Sequence, residues 1–391
     1  MTDGPHVPWR WVFAGLVVIL TLLALGFALW LRQHADLDRI EARMRAVGID
    51  PNDLQSRSVP DIRWQALTNR CPSICIVEED AHLVIDPGAT IRPDTASADE
   101  IIESVFTIPT TAVCDYDEVN RLLAVINARV ISGNESAAVR SAQALCHIFW
   151  SLDTSFSYPH AVAAELVTSI RRRRQYGRPF HDQLLAPELR RMADEIEHRL
   201  RQPWGFPLAP LLARARSGGD DFVRHTGIRL PEIYYNWLGY QVVSRAGREA
   251  YFTGYLQWYE QSRSALDARA LVRVARSMQQ PTRSPIEWAS PAVLLDSRDG
   301  AVWVTRRAVS ISIHLRLMAA DLDGGPWPDD PFALTPAPLH RAERDGMLMG
   351  AWSVGLDGID QSGSPSKDVC LSLGPKNGNS KMTDPPRPPL K

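Results

Sequence analysis

The chain has 391 residues, of which 45% are hydrophobic and 23% charged, a composition typical of a folded protein with a large core. Its formal net charge of −2 excludes a globally basic surface of the kind that holds nucleic acid. All four lysines fall between residues 367 and 391. A P-loop lysine, a Schiff-base lysine or a lysine general base is therefore excluded from the preceding residues.

Residues 12–31, VFAGLVVILTLLALGFALWL, form a run without a charged side chain. A helix of this length rises about 30 Å, which is the thickness of the hydrocarbon core of a bilayer. Trp9, Trp11 and Trp30 stand at its ends, where aromatic rings favour the headgroup region. The run is too long for the core of a cleaved signal peptide, and no A-x-A-like site follows it. We therefore predict a single-pass signal-anchor helix that contacts the lipid bilayer.

The charges flanking this helix do not settle its orientation. Four arginines follow the span within fifteen residues, whereas Arg10 precedes it, and the positive-inside rule then favours a cytoplasmic C-terminal domain. Long domains, however, are translocated largely regardless of flanking charge. Both orientations stay open on these grounds.

Helical periodicity dominates the chain up to about residue 322. An amphipathic stretch follows the span, with apolar residues at steps of three and four (Leu37, Ile40, Met44, Val47), and Gly48 is the expected C-cap. Asp115 and Asp117 are plausible N-caps for a helix through residue 131. Further helices are predicted at Ser136–Trp150, Ala161–Arg174, Pro187–Arg201, Pro231–Ala246, Tyr251–Met278 and Ala301–Leu322. Little regular structure is expected between residues 71 and 99.

The C-terminal part changes character. A proline-rich loop at 324–338 precedes two short apolar runs, 347–354 and 368–373, that predict strands around a long loop. The fold class is therefore mainly α, with one transmembrane helix, a helical domain and a small β-hairpin-like element. The predicted segments are an N-terminal flank (1–11), the transmembrane helix (12–31), a juxtamembrane helix and linker (32–60), the helical domain (61–322), the proline loop and Gly/Asp-rich hairpin (323–374) and a disordered tail (375–391).

Several residue groups could form sites, but their sequence patterns favour structural roles. Cys71 and Cys75 could close a local disulfide or be separate thiols, since their spacing is not that of a zinc or redox pair. The run of four arginines at 171–174 predicts a solvated helix end, with an anionic contact as the alternative. Aromatic residues from Tyr234 to Tyr259 predict helix packing, with a ligand groove as the alternative. No catalytic set is predicted.

The loop 357–368 is the one candidate metal site. Asp357, Asp360 and Asp368, with the carbonyl groups of the loop, could supply the oxygens that Ca²⁺ requires. The EF-hand pattern is not met, because Ile359 and Gln361 stand where acids are needed. The alternative is a turn-rich hairpin loop without an ion.

Segments at both ends of the chain resemble one group of proteins. The segments are Leu37–Leu54, Trp327–Phe332, Gly346–Met349, Trp352–Asp360 and Asp368–Leu371. They resemble the juxtamembrane segment and the "YP..DPF…LYSVGPDGxDDGG…DIVF" ending of membrane-anchored proteins of unknown function from planctomycete-type bacteria. The helix Ala301–Leu322 occupies the place of a long helix in those proteins. The resemblance covers about 100 residues at the two ends. It implies membrane anchoring and no particular activity.

The same ending is similar to the C-terminal loop of type II secretion pseudopilins, in which such a turn binds calcium. Asp357 and Asp360 correspond to the turn acids, and Asp368 to the acid before the last strand. The sequence departs from that pattern at Gln361, Ser362 and Ser364. A Gly-Phe prepilin cleavage site is not expected here, because Gly26-Phe27 lies inside the apolar run. The similarity implies an extracytoplasmic domain.

The hypothesis that these observations favour is a structural or interaction protein of the cell envelope, without catalysis. It would be anchored in the inner (cytoplasmic) membrane, with other envelope proteins as candidate partners and no nucleic acid. Two alternatives are an envelope hydrolase with an aromatic-lined groove and a secretion-system accessory. Ca²⁺ is the one candidate cofactor.

Overall fold

The computed structural model describes residues 9–50, 61–71, 76–79, 82–85, 97–114, 116–152, 157–202, 252, 254–279, 291–344, 347–362 and 368–372. The protein is mainly helical, with a small antiparallel sheet near its C-terminus. The chain forms two compact units: Met1–Asp53 with Leu208–Leu256 and Arg283–Ser297, and Leu54–Pro207 with Gln257–Thr282 and Arg298–Lys391. The predicted helix at 231–246 and the tail at 375–391 lie outside the described residues.

In the first unit, helix α1 runs from Trp9 to Ala46 without a break. Its C-terminus is a Schellman motif, in which the N–H of Ile49 donates to the carbonyl of Met44 and the N–H of Gly48 to that of Arg45. Gly48 has φ +84°, as the predicted C-cap requires. Met44 and Ile49 are both buried, which supplies the hydrophobic contact that accompanies the motif.

Two parts of α1 differ in exposure. The described side chains are those of residues 13–25, which are all exposed, and 37–46, of which Leu37, Ile40 and Met44 are buried. Among the residues that the structure describes, no helix is long and apolar enough to cross a membrane.

The second unit is built around a group of short and medium helices. These are α2 (Ile62–Asn69), α3 (Ala98–Val105), α4 (Tyr116–Ser132), α5 (Glu135–Ser151), α6 (Ser157–Gln175), a 3₁₀ turn (Gln183–Leu185) and α7 (Ala186–Arg199). Helices α4, α5 and α6 pack against one another, and α2 and α3 cover them. Trp64 of α2 is fully buried, and its indole N–H donates to the carbonyl of Ala112 over 2.8 Å. That hydrogen bond satisfies the one polar atom of this large core side chain.

Side-chain caps fix where three of these helices begin. Asp61 accepts from the N–H of Arg63, and Asn134 accepts from that of Ala137. Ser97 and Glu100 form a reciprocal capping box at the start of α3. The boundaries predicted for α4 to α7 are confirmed within a few residues, whereas α3 was not predicted.

The prediction of one continuous helix over Tyr251–Met278 is wrong. A helical segment at 254–262 ends in a turn, and α8 (Ala268–Gln279) begins after it. Asp267 caps α8, because its carboxylate accepts from the N–H of Ala270 over 2.7 Å. The last helix, α9 (Pro291–Asp323), is longer than its predicted counterpart.

Two antiparallel sheets complete the described structure. Strands β1 (Ile76–Glu79) and β2 (His82–Ile85) form a hairpin where little regular structure was expected. Strands β3 (His340–Arg344), β4 (Met347–Ser353) and β5 (Val369–Ser372) form a three-stranded sheet with β4 in the centre. Both predicted C-terminal strands are confirmed, and β3 extends the predicted hairpin to a sheet.

The arginine run at the end of α6 is only partly a solvated helix end. Arg173 is buried and donates to the carbonyls of Val130, Gly133 and Pro179. Arg174 is also buried and pairs with Asp321 of α9 over 2.6 Å. The interpretation as a solvated end is therefore wrong for these two residues, which join α6 to its neighbours.

Candidate functional site

The C-terminal sheet and its loops are organised by a buried carboxylate, that of Asp330. One of its oxygens accepts from the N–H of Phe332 over 2.8 Å and from the hydroxyl of Ser353 over 2.6 Å. The other accepts from the N–H of Val354 over 3.2 Å. Asp330 and Phe332 are both fully buried. This acid therefore ties the proline loop to the end of strand β4.

Arg276 of α8 fixes the same loops from the helical side. Its guanidinium donates to the carbonyls of Leu356, Gly355 and Phe332. Burial lowers the pKa of Arg276, and the charges of Asp330 and Asp357 oppose that effect. Arg276 is thus the resident cation of this acidic region.

A glycine makes room for this guanidinium. A Cβ atom at Gly358 would lie 3.1 Å from Leu334 Cγ and 3.2 Å from a guanidinium nitrogen of Arg276. Gly358 also has φ +72°, which disfavours other residues. The "VGLDG" stretch of the sequence is therefore explained by the packing of Arg276 against the turn.

Each of the three candidate metal ligands accepts hydrogen bonds inside the loop. Asp357 accepts from the N–H of Ile359 and from the side-chain amide of Gln361, over 3.1 and 2.7 Å. Asp368 is buried and accepts from the N–H of Gln361 over 3.2 Å. Gln361 therefore donates hydrogen bonds to both Asp357 and Asp368. It stands at a position that an acidic residue occupies in calcium-binding loops.

Asp360 is held on the sheet. Its carboxylate accepts from the indole N–H of Trp352 over 2.9 Å and from the N–H of Ser362 over 2.8 Å. His340, stacked on Trp352 across the strands, lies 3.6 Å from the other oxygen. The Trp352 hydrogen bond is the largest cause that lowers the pKa of Asp360. The stabilisation that this carboxylate gives is present above the ordinary aspartate pKa and is lost as the pH falls through the lowered value.

Within the described residues, no three His, Cys, Asp or Glu side chains are arranged to hold a metal ion. The carboxylates proposed for calcium instead accept hydrogen bonds from backbone N–H groups, from the Gln361 amide and from the Trp352 indole. These contacts favour the hairpin-loop alternative on physical grounds, and calcium binding by Asp357, Asp360 and Asp368 stays a prediction.

The other candidate groups are placed as follows. Tyr255, Trp258 and Tyr259 are buried, and the indole N–H of Trp258 donates to Thr305. The described part of the aromatic group therefore belongs to the core, and Tyr234–Tyr240 lie outside the described residues. Cys71 is a buried free thiol, and burial raises its pKa to about 11. Such a thiol is unreactive at neutral pH.

Asp330, Arg276 and Arg269 are the organising residues that were not predicted from the sequence. Arg269 donates to the backbone carbonyl of Asp330 over 3.1 Å. The one available signal was the Asp-Pro-Phe stretch at 330–332, since an acid followed by proline and a large apolar residue is typical of a capped turn. No sequence pattern links these residues to two arginines sixty positions earlier.

Comparison with known proteins identifies no relative: no protein-family model, curated protein or solved structure matches the chain. The resemblance to planctomycete-type membrane proteins and to pseudopilins therefore stays a prediction.

We expect Asp330→Asn to destabilise the second unit by about 2–4 kcal/mol, because one buried carboxylate oxygen is replaced by an NH₂ group that faces the N–H of Val354. Thermal unfolding of the detergent-solubilised protein, followed by near-ultraviolet circular dichroism, measures this. The matched control is Asp357→Asn at an exposed position, which should change stability by less than about 1 kcal/mol. Equal effects of the two variants would contradict the role given to Asp330.

We expect the thermal midpoint to be the same in millimolar calcium and in excess chelator, because the carboxylates of Asp357, Asp360 and Asp368 already accept hydrogen bonds from N–H donors. The measurement is the same unfolding experiment with both additives. A calcium-dependent rise that disappears in Asp357→Ala and Asp360→Ala would restore the ion site and with it the pseudopilin-like interpretation.

Proposed function

We propose that the protein is a single-pass membrane protein, anchored by residues 12–31, whose helical unit acts as a structural or interaction component of the cell envelope. The observation that carries the anchor is the exposure of α1 between residues 13 and 25. Large apolar side chains in this stretch are 45–66% exposed, from Phe13 to Leu25. Five consecutive residues, 16–20, are among them, so every side of the helix presents apolar surface.

Water is a poor solvent for such a helix. Burying each large apolar side chain is worth about 1.5–3 kcal/mol, so leaving a helix apolar on every side in water is strongly disfavoured. Thr21 is the one polar side chain in the stretch, and its hydroxyl donates to the carbonyl of Val17 over 2.8 Å. This local hydrogen bond is the usual way in which a threonine is accommodated in hydrocarbon.

The thirteen described positions span about 20 Å of helix, and the apolar residues on either side of them complete the thickness of a bilayer. Helix α1 then continues into the buried face formed by Leu37, Ile40 and Met44. The proposed anchor is thus joined to the folded part of the first unit by continuous helix, without a flexible linker.

A structural or interaction role is supported by how the polar residues of the second unit are used. Its buried carboxylates and arginines serve as links between elements, as Asp330, Arg276 and the Arg174–Asp321 pair show. The described members of the 234–259 aromatic group, Tyr255, Trp258 and Tyr259, are core residues, so this part of the chain gives no support for a hydrolase groove. Orientation rests on the pseudopilin resemblance, and we propose that the second unit is extracytoplasmic.

We expect the full chain to sediment with membranes, to resist carbonate extraction and to be released by detergent. The double substitution Leu20→Arg with Leu23→Arg should weaken this retention, because each arginine near the helix centre costs about 2.5–3.5 kcal/mol of insertion. The matched control is Leu184→Arg with Leu266→Arg, two exposed leucines elsewhere in the chain. Recovery of the wild-type protein in the aqueous fraction without detergent would refute the anchor.

We expect a membrane-impermeant maleimide to label Cys370 in intact spheroplasts, because this thiol is exposed while Cys71, Cys114 and Cys146 are buried. The reaction should quicken with pH, since burial and the nearby charge of Asp368 raise the pKa of Cys370. A Cys75→Ser background removes the remaining thiol, and Cys370→Ser is the control. Labelling that requires permeabilised cells would place the domain in the cytoplasm.

A further inference from the structure

Arg171, on helix α6, differs from the two arginines that follow it. Arg173 donates to three backbone carbonyls, and Arg174 donates to Asp321 and to the carbonyl of Phe180. Arg171 is partly buried, its Nε atom is buried without a hydrogen-bond partner, and no carboxylate among the described residues forms an ion pair with it. A buried guanidinium nitrogen without an acceptor is costly, and such a group calls for an explanation in a native structure.

Other arginines with a buried unpartnered nitrogen have a different status. Arg199 pairs with Glu195, Arg201 lies near Glu197, and Arg269 donates to the carbonyl of Asp330. In each of these three residues, one guanidinium nitrogen lacks a hydrogen-bond partner while the rest of the group has one. A water molecule would satisfy that nitrogen. In the described part of the chain, Arg171 has no such primary partner.

The surroundings of Arg171 add positive charge. Burial is the main cause that lowers the pKa of Arg171, and the adjacent charge of Arg172 lowers it further. From α9, His314 lies close enough for the charge of Arg171 to lower its pKa in turn, although burial is the larger cause. His314 is itself engaged with the carbonyl of Ser310 and with the backbone at Cys370. This places Arg171 where α6, α9 and strand β5 come together.

Glu165, an acid on the same helix, interacts with other groups. Glu165 interacts with the charges of Arg172 and Arg307, and it accepts from the side-chain amide of Asn127 over 3.1 Å. Asn127 in turn accepts from Ser169 over 2.9 Å, so the carboxylate is held by a buried network between α4 and α6. Glu165 is therefore engaged by other side chains, and no carboxylate among the described residues pairs with the guanidinium of Arg171.

We propose that Arg171 is the anchor of a binding site for an oxyanion of the phosphate class. A planar guanidinium binds phosphate oxygens with two parallel hydrogen bonds, and partial burial strengthens those bonds. The adjacent Arg172 adds a second positive charge next to Arg171. The phosphate could belong to a soluble phosphate ester or to a phospholipid headgroup.

The test is thermal unfolding of the full chain in detergent, with and without inorganic phosphate, for the wild type and two variants. Phosphate should raise the midpoint of the wild type, and Arg171→Gln should weaken the apparent affinity by about tenfold or more. Arg140→Gln is the matched control, because Arg140 is an exposed arginine that already pairs with Glu103 over 2.7 Å. It should keep the full phosphate response.

Two further measurements distinguish a lipid phosphate from a soluble one and test whether Arg171 has a purely structural role. Nanodiscs with phosphatidylglycerol, compared with phosphatidylcholine alone, should raise the midpoint through Arg171 if the phosphate is that of a lipid; a response to inorganic phosphate only assigns a soluble ligand. In phosphate-free buffer, Arg171→Gln should be as stable as the wild type or more so, because it removes an unpaired buried charge. A loss of stability there, or an equal phosphate response in Arg171→Gln, would overturn the proposal.

Discussion

The architecture of the second unit depends on the buried ion pair between Arg174 and Asp321. Both side chains are only 3% exposed, and the guanidinium also donates to the carbonyl of Phe180. Removing one partner of such a pair leaves a buried charge without compensation, at a cost of about 3–5 kcal/mol. The pair fixes the end of α9 against α6. The chain then leaves α9 at Gly324, so the position of the whole C-terminal sheet depends on it.

The same use of arginine recurs along α9 and the loops that follow it. Glu197 of α7 accepts from Arg316 and Ser312 of α9, over 2.8 and 2.5 Å. Arg276 then joins the turn after β4 to the proline loop, through two backbone carbonyls of the turn and that of Phe332. A lysine could not replace these groups, because its point charge lacks the planar fork that reaches several acceptors at once. The near absence of lysine from the sequence thus has a structural counterpart in these links.

Sequence reasoning succeeded where the information is local and failed where it is not. Apolar spacing located α4 to α7 and two of the C-terminal strands, and Gly48 marked the end of α1. The burial of Arg173 and Arg174 could not be predicted, because their acceptors lie as far as 147 positions away. Strand β3 was missed because HRAER is short and charged. Within the acidic loop, the sequence shows which carboxylates exist but not which N–H donors they accept from, such as the indole of Trp352 for Asp360.

The two units differ in which side chains they expose to and bury from solvent, and this difference supports the proposal of a membrane-bound interaction protein. In the second unit, charged side chains are buried at a cost that only precise pairing offsets. In the first, α1 exposes apolar side chains on every side between residues 13 and 25, at a cost that only a nonaqueous surrounding offsets. The paired buried charges of the second unit contrast with the exposed apolar side chains of α1. The proposal of a bilayer anchor rests on this exposure of α1 together with the apolar run in the sequence.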